Sequence, residues 1–163
     1  AVLFAGLILF AAWHGIYLWR YANDAEPLRY ISGSQARTEY LAAKLPEYSS
    51  LQYINSNTEE SAKIYLLFIG RRAYYCERDY FHDGVELPGY LFAAIRKAQS
   101  AAEIAHTLKQ KQITHLMIRE DLLVEFLEHN LTANQIELWN QFAQSRLELK
   151  FRDGRHSVYQ LHG

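Results

Sequence analysis

One cysteine, Cys76, stands in 163 residues. A lone thiol excludes an internal disulfide and any zinc site built from several cysteines. An excess of either charge is missing too. Seventeen Lys and Arg residues against 18 Asp and Glu leave a net charge of −1. No basic stripe stands ready to neutralise phosphates, so nucleic acid is excluded as the main partner. The chain has no GxGxxG, no phosphate loop ending in lysine and serine or threonine, and no GxSxG elbow, so no dinucleotide, nucleotide or hydrolase signature is present. Internal repeats and low-complexity tracts are also absent. What remains is a chain of ordinary domain length, 50% hydrophobic, with enough apolar content for a proper core.

The N-terminus carries the longest apolar run. Ala1 to Trp19 has no formal charge before Arg20. A helix of that length, at ~1.5 Å per residue, approaches the ~30 Å thickness of a bilayer's hydrocarbon layer. Trp13, Tyr17 and Trp19 gather at its end, where an aromatic belt meets the membrane interface. A basic n-region and a small-residue cleavage site are missing, so the run does not read as a signal peptide. His14 and Gly15 interrupt it, which leaves a buried core helix as the alternative. The chain begins without methionine and reads as a piece of something longer. We therefore expect residues 1–20 to be the end of a transmembrane helix and residues 21–163 a single extramembrane α/β domain. Arg20, Asp24, Glu26 and Arg29 mix signs after the span, which favours a non-cytoplasmic side.

Further along, "SQARTEYLAAKL" predicts a helix with Ser34 as N-cap, ending at Pro46. "YSSLQYINS" predicts a second, shorter helix. "KIYLLFIG" and "ITHLMI" are continuous apolar runs, as in strands buried on both faces. Leu87 to Gln110 reads as helix, broken near Ser100, where a new N-cap is followed three residues later by Glu103. "REDLLVEFLEHN" and "TANQIELWNQFAQS" predict two amphipathic helices parted near Asn130. The end, "LELKFRDGRHSVYQL", predicts a hairpin turning at Asp153-Gly154 through a type I′ turn. The order implies an α/β fold: a mixed sheet of about five strands, helices on its faces, and a C-terminal hairpin.

The stretch "GRRAYYCERDYFHDG", Gly70 to Gly84, follows the first strand and concentrates reactive residue types. Ligands in such folds tend to sit beyond the carboxyl ends of the strands, which is where this stretch is expected. Glu77, Asp79, His82 and Asp83 suggest a metal site, but neighbours along a strand face opposite ways and cannot easily share an ion. Cys76 as a nucleophile needs a histidine in reach and a lowered pKa; a lone cysteine beside a buried strand is ordinarily a small core residue. His115, within the second strand, reads as a hydrogen-bonded core or edge residue, and His106 and His129 as helix-surface residues. Asn130-Leu131-Thr132 matches a glycosylation sequon, which matters only in a eukaryotic secretory setting. The residues left as a candidate contact surface are Arg71, Arg72, Tyr74 and Tyr75, because arginine and tyrosine combine hydrogen bonding with stacking area. No catalytic residue, metal ligand or cofactor is assigned.

The succession "YISGSQARTEYLAAKLPEYSSLQYIN", "AKIYLLFIGRRAYYCERDYFHD", "ITHLMIREDLLVEF" and "LELKFRDGRHSVYQL" resembles the C-terminal extramembrane domain of large bacterial polytopic glycosyltransferases. These are similar to protein O-mannosyltransferases and the aminoarabinose transferase of lipid A, within the GT-C superfamily. In that family an apolar strand leads into a Gly-x-Arg-x-Tyr-Tyr-like turn and a second short strand. Here the pattern falls on Gly70, Arg72, Tyr74 and Tyr75, with Arg71 where many relatives carry an acidic residue. The resemblance implies transfer of a sugar from a polyprenyl-phosphate donor to a protein or lipid acceptor outside the cytoplasm, with the catalytic base in upstream loops. It implies as partners the transmembrane part of the parent chain, the membrane, and a glycan or protein acceptor, with the domain on the periplasmic side of the inner membrane. Two other classes stand beside it: a small-molecule-binding α/β module, and a membrane-tethered structural interaction domain.

Overall fold

The structure, a computed structural model, describes residues 2–70, 72–82 and 89–162. The chain forms two units, Ala1–Leu45 and Pro46–Gly163.

In the first unit a 24-residue helix, α1 (Val2–Ala25), runs on past Arg20 and Asp24. From Leu3 to Ala25 it is long and apolar enough to cross a membrane. Leu3, Phe4, Leu7, Phe10, Trp13 and Trp19 are all exposed. Glu26 takes a left-handed conformation (φ 47°), and Pro27 opens a short helix, α2 (Pro27–Ile31). Proline suits that first position, because its fixed φ is helical and its missing N–H would be unpaired there anyway. The expected Ser34 cap does not form. Helix α3 (Arg37–Lys44) begins later, after Ala36, and the Ser34 hydroxyl donates instead to the Arg29 carbonyl at 2.8 Å. That bond closes the α2 turn, a local competitor for the side chain. Leu45 is extended (φ −122°, ψ 99°), as the residue before a proline must be, and the helix stops.

The second unit is a mixed α/β layer structure. Helix α4 (Tyr48–Asn57) precedes strand β1 (Lys63–Leu67) and short strand β2 (Asp79–Phe81). Helices α5 (Gly89–Lys97) and α6 (Ala101–Gln110), strand β3 (His115–Arg119), helices α7 (Glu120–Asn130) and α8 (Ala133–Arg146), and strands β4 (Leu147–Asp153) and β5 (His156–Leu161) follow. The five-stranded sheet has the order β2-β1-β3-β5-β4. β1 is parallel to β2 and β3, and the hairpin adds β5 and β4 antiparallel. This is the mixed sheet with a terminal hairpin that the pattern implies.

Alternation along the strands divides the core. Tyr65, Leu67, Leu116 and Ile118 face one way, under Leu91, Ile95, Leu108 and Phe142 from the helices α5 to α8. Ile64, Leu66, Met117 and Val158 face the other way, under Leu51 and Ile54 of α4. Both faces of β1 and β3 are therefore buried, which is why these strands read as unbroken apolar runs. Each such side chain contributes ~1.5–3 kcal/mol on full burial.

The helix signals hold locally. Ser100 Oγ accepts from the Glu103 amide. Thr132 and Gln135 close a reciprocal capping box at the start of α8. The hairpin turn sits one residue later than expected. Asp153 pairs with His156, so Gly154 and Arg155 are the loop residues. Only Gly154 has positive φ (56°), the pattern of type II′, with glycine first, not of type I′, which needs two such residues.

Candidate functional site

The route of Gly70–Gly84 decides what it can touch. β1 and β2 are parallel, with Lys63 opposite Asp79. The chain must therefore leave the carboxyl end of β1, descend beside the sheet, and begin β2 again at the amino end. Phe68 starts the departure in a left-handed conformation (φ 61°), and Gly70 repeats it (φ 65°). A left-handed aromatic residue is uncommon and costs energy. Here the ring is held by packing against Phe126, with centroids 5.8 Å apart. Only the first part of the stretch lies beyond the carboxyl end. Residues 72–78 form a crossover and Asp79–Phe81 are β2, so the parallel pairing corrects the expectation that the whole stretch lies there.

The crossover is tied to α4. The Asn55 side chain donates to the Tyr75 carbonyl at 2.8 Å and accepts from the Glu77 amide at 2.9 Å. Arg78 reaches the other way. Its guanidinium donates to the Asn55 carbonyl and to the Thr58 carbonyl at 3.1 Å. These are carbonyls at the C-terminal end of α4, where unpaired acceptors and the negative end of the helix dipole favour a cation. Cys76 is half-buried, its thiol directed at the Arg78 carbonyl at 3.6 Å, and burial pushes its pKa up. It is no poised thiolate.

The candidate contact residues separate. Arg71 lies outside the described residues. Arg72 is exposed over 62% of its side chain and reaches Glu47, whose side chain is 4% exposed, at 3.4 Å. Tyr74 is 86% exposed. Tyr75 turns inward and stands edge-on against Tyr48 at 5.2 Å, with Tyr74 edge-on behind it at 5.1 Å. Arg72 and Tyr74 thus present polar and aromatic surface, and Tyr75 backs Tyr74 from the core side. His82 and Tyr80 stack at 6.2 Å on the exposed end of β2. Asp83 is outside the described residues. Among the described residues no group of three or more His, Cys, Asp or Glu side chains could hold a metal ion.

Around Arg72, the carboxyl end of the sheet carries a charge network that the sequence reading did not find. Arg119 grips Asp121 with two bonds of 3.0 and 3.2 Å, and Arg155 adds a third at 3.1 Å. The Arg119 hydrogen bond holds the Asp121 carboxyl below its usual pKa and raises that of Arg119. Tyr159 donates to Glu120 at 2.6 Å. Burial, reinforced by that carboxylate, raises the tyrosine's pKa. Arg152 lies 3.8 Å from Glu120 and donates to Ser157 at 3.0 Å. His156 is buried among these groups. Desolvation lowers its pKa, opposed by Glu47 and reinforced by Arg119. Such a network positions the loop ends rigidly, and its charges are matched one against another.

No family model matches the chain, and no curated protein matches it. Among solved structures it is similar to the C-terminal globular domain of an oligosaccharyltransferase from Archaeoglobus fulgidus. The identity is 12% and the TM-score 0.48, over 70% of this chain and 95% of that one. No residue role is carried across from it.

Proposed function

We propose that the chain is a membrane span followed by the non-catalytic extramembrane domain of an integral-membrane glycosyltransferase, one that moves a sugar from a polyprenyl-phosphate donor to a protein or lipid acceptor. The observation that carries the reading is α1: a helix of spanning length, with exposed apolar side chains, directly ahead of an α/β unit whose sequence succession resembles those transferases. The catalytic base belongs to upstream loops. The partners are the parent's transmembrane part, the membrane, and the acceptor, with the unit on the extracytoplasmic side. Arg72 and Tyr74, with Arg71 beside them in sequence, are the contact residues. Exposure of Tyr74, and of most of the Arg72 side chain beyond its contact with Glu47, favours this assignment.

Two measurements test it. The chain expressed in a bacterial inner membrane should resist alkaline extraction, and protease should digest residues 46–163 in right-side-out vesicles but not in inverted ones. The purified chain should show no transfer from polyprenyl-phosphate sugars. Protection in right-side-out vesicles removes the extracytoplasmic placement, and turnover by the chain alone removes the accessory role.

A further inference from the structure

The opposite end of the sheet, at the amino ends of β1 and β3, holds an open cleft of about 360 Å³. A second cleft of about 560 Å³ adjoins it, the two sharing Ser61, Thr114 and Gln160. Both volumes fall within the ~300–1,000 Å³ of ordinary small-ligand pockets. Tyr53 of α4, its ring stacked on Phe151 at 4.7 Å, forms an aromatic wall.

The polar groups here differ from those at the carboxyl end in having spare capacity. Neither the Gln160 carboxamide nor the Tyr53 hydroxyl has a hydrogen-bond partner among the described residues. His115 is further defined by its neighbour. Thr114 Oγ1 accepts from the Lys63 amide at 3.1 Å, lies 3.2 Å from the Lys63 carbonyl, and meets His115 Nδ1 at 2.9 Å. All three contacts are satisfied when the hydroxyl donates to the carbonyl and Nδ1–H donates to the hydroxyl. Nε2 then carries a lone pair and is an acceptor.

Charge narrows the ligand. Lys150, the cationic group of the first cleft, is already paired with Glu148 at 2.8 Å. Glu59 and His115 Nε2 are acceptors, which would oppose the lone pairs of a phosphate or carboxylate. A ligand that both donates and accepts at closely spaced positions, and has an apolar face for a tyrosine, fits this lining.

We propose that this cleft binds a neutral, hydroxyl-rich ligand, a mono- or disaccharide unit. The proposal stands on the lining groups and does not rest on the transferase reading. Isotope-labelled full chain in detergent micelles, titrated separately with maltose, chitobiose, mannobiose and inorganic phosphate, tests it through amide resonances. At least one disaccharide should give saturable shifts at Asn57, Ser61, Thr114, His115 and Gln160, while phosphate leaves them in place. Gln160→Ala should weaken that binding about tenfold, ~1.4 kcal/mol, with an unchanged melting midpoint, because its carboxamide has no partner in the fold among the described residues. Silence with all three sugars, shifts confined to other residues, shifts driven by phosphate alone, or full affinity in Gln160→Ala each overturn the proposal. A sugar that binds to a chain showing no membrane insertion would sustain this site and remove the membrane-transferase reading.

Discussion

The two ends of the sheet are furnished from the same residue types to opposite effect. At the carboxyl end, Arg119 and Arg155 share Asp121, and Arg152 and Tyr159 share Glu120. At the amino end, Gln160, Tyr53 and His115 Nε2 line open space with hydrogen-bonding capacity unused among the described residues. The difference separates two meanings of a polar cluster. Groups that answer one another stabilise and orient the loops they join, whereas groups left with donors or acceptors to spare can still recognise something else. Crowding of reactive residues in the sequence, as at Gly70–Gly84, marks neither property by itself.

The largest test of this contrast is Arg78→Ala. Loss of charge-assisted bonds to the Asn55 and Thr58 carbonyls should destabilise the unit by about 2–3 kcal/mol, read by chemical denaturation, with sugar binding at folded temperatures retained. A value under ~0.5 kcal/mol would mean that the crossover is not held by this residue.

Acid should act next, and at both ends. Burial depresses the folded-state pKa of His156 and of His115 below the ordinary 6.5. As pH falls through about 6.5 the unfolded chain takes up these protons first, so stability is full above that value and declines below it until the folded-state pKa is reached. Melting midpoints followed from neutral to mildly acidic pH should fall, and His156→Gln and His115→Gln should each flatten part of the decline. A midpoint that rises on acidification contradicts both burial effects.

Arg72→Ala should cost about 1 kcal/mol, the upper range for an exposed pair, because it leaves the buried Glu47 carboxylate without that partner. Smallest is Tyr74→Ala, with a stability change within ~0.5 kcal/mol. In the intact parent enzyme the order reverses if these residues contact the acceptor: the tyrosine change should lower transfer, and unaltered transfer rates would return Tyr74 to plain surface.

Much of the layer structure was legible because its causes are local. Continuous apolar runs follow from burial on both faces of β1 and β3, and Ser100 and Thr132 announce their helices through bonds three residues away. The apolar run at Lys63 forms β1, followed by the 3-10 turn Ala73–Tyr75 and the short strand β2. What escaped depends on chain distant in sequence. Nothing at the Pro46-Glu47 junction between two expected helices marks Glu47 as buried, and it is buried where Arg72, Arg119 and His156 gather around it. Asn55 and Arg78 look like surface residues until the parallel register of β2 brings the crossover alongside α4. Ser34 had a nearer partner, the Arg29 carbonyl, than the helix it was expected to cap. The hairpin was visible, yet its turn type depended on which residue the strand pairing placed after Asp153.

The pairing of β4 with β5 slips between Leu149 and Phe151, which stand opposite the consecutive residues Tyr159 and Val158. Lys150 is therefore the supernumerary residue of a bulge. In a regular strand, residues two apart share a side of the sheet, but here the insertion changes parity: Phe151 joins the layer beneath α4 while Leu149 stays 47% exposed. Deleting Lys150 would not merely shorten an edge. It would set Leu149 beside Phe151 on the opposite sides they already occupy and keep the pairing from there to the hairpin loop, while straightening a strand whose irregular outer margin discourages recruitment of further strands. Among relatives of this chain, single-residue deletions in β4 should therefore fall at this bulge, because elsewhere in the strand they would move every side chain between there and the loop to the other face.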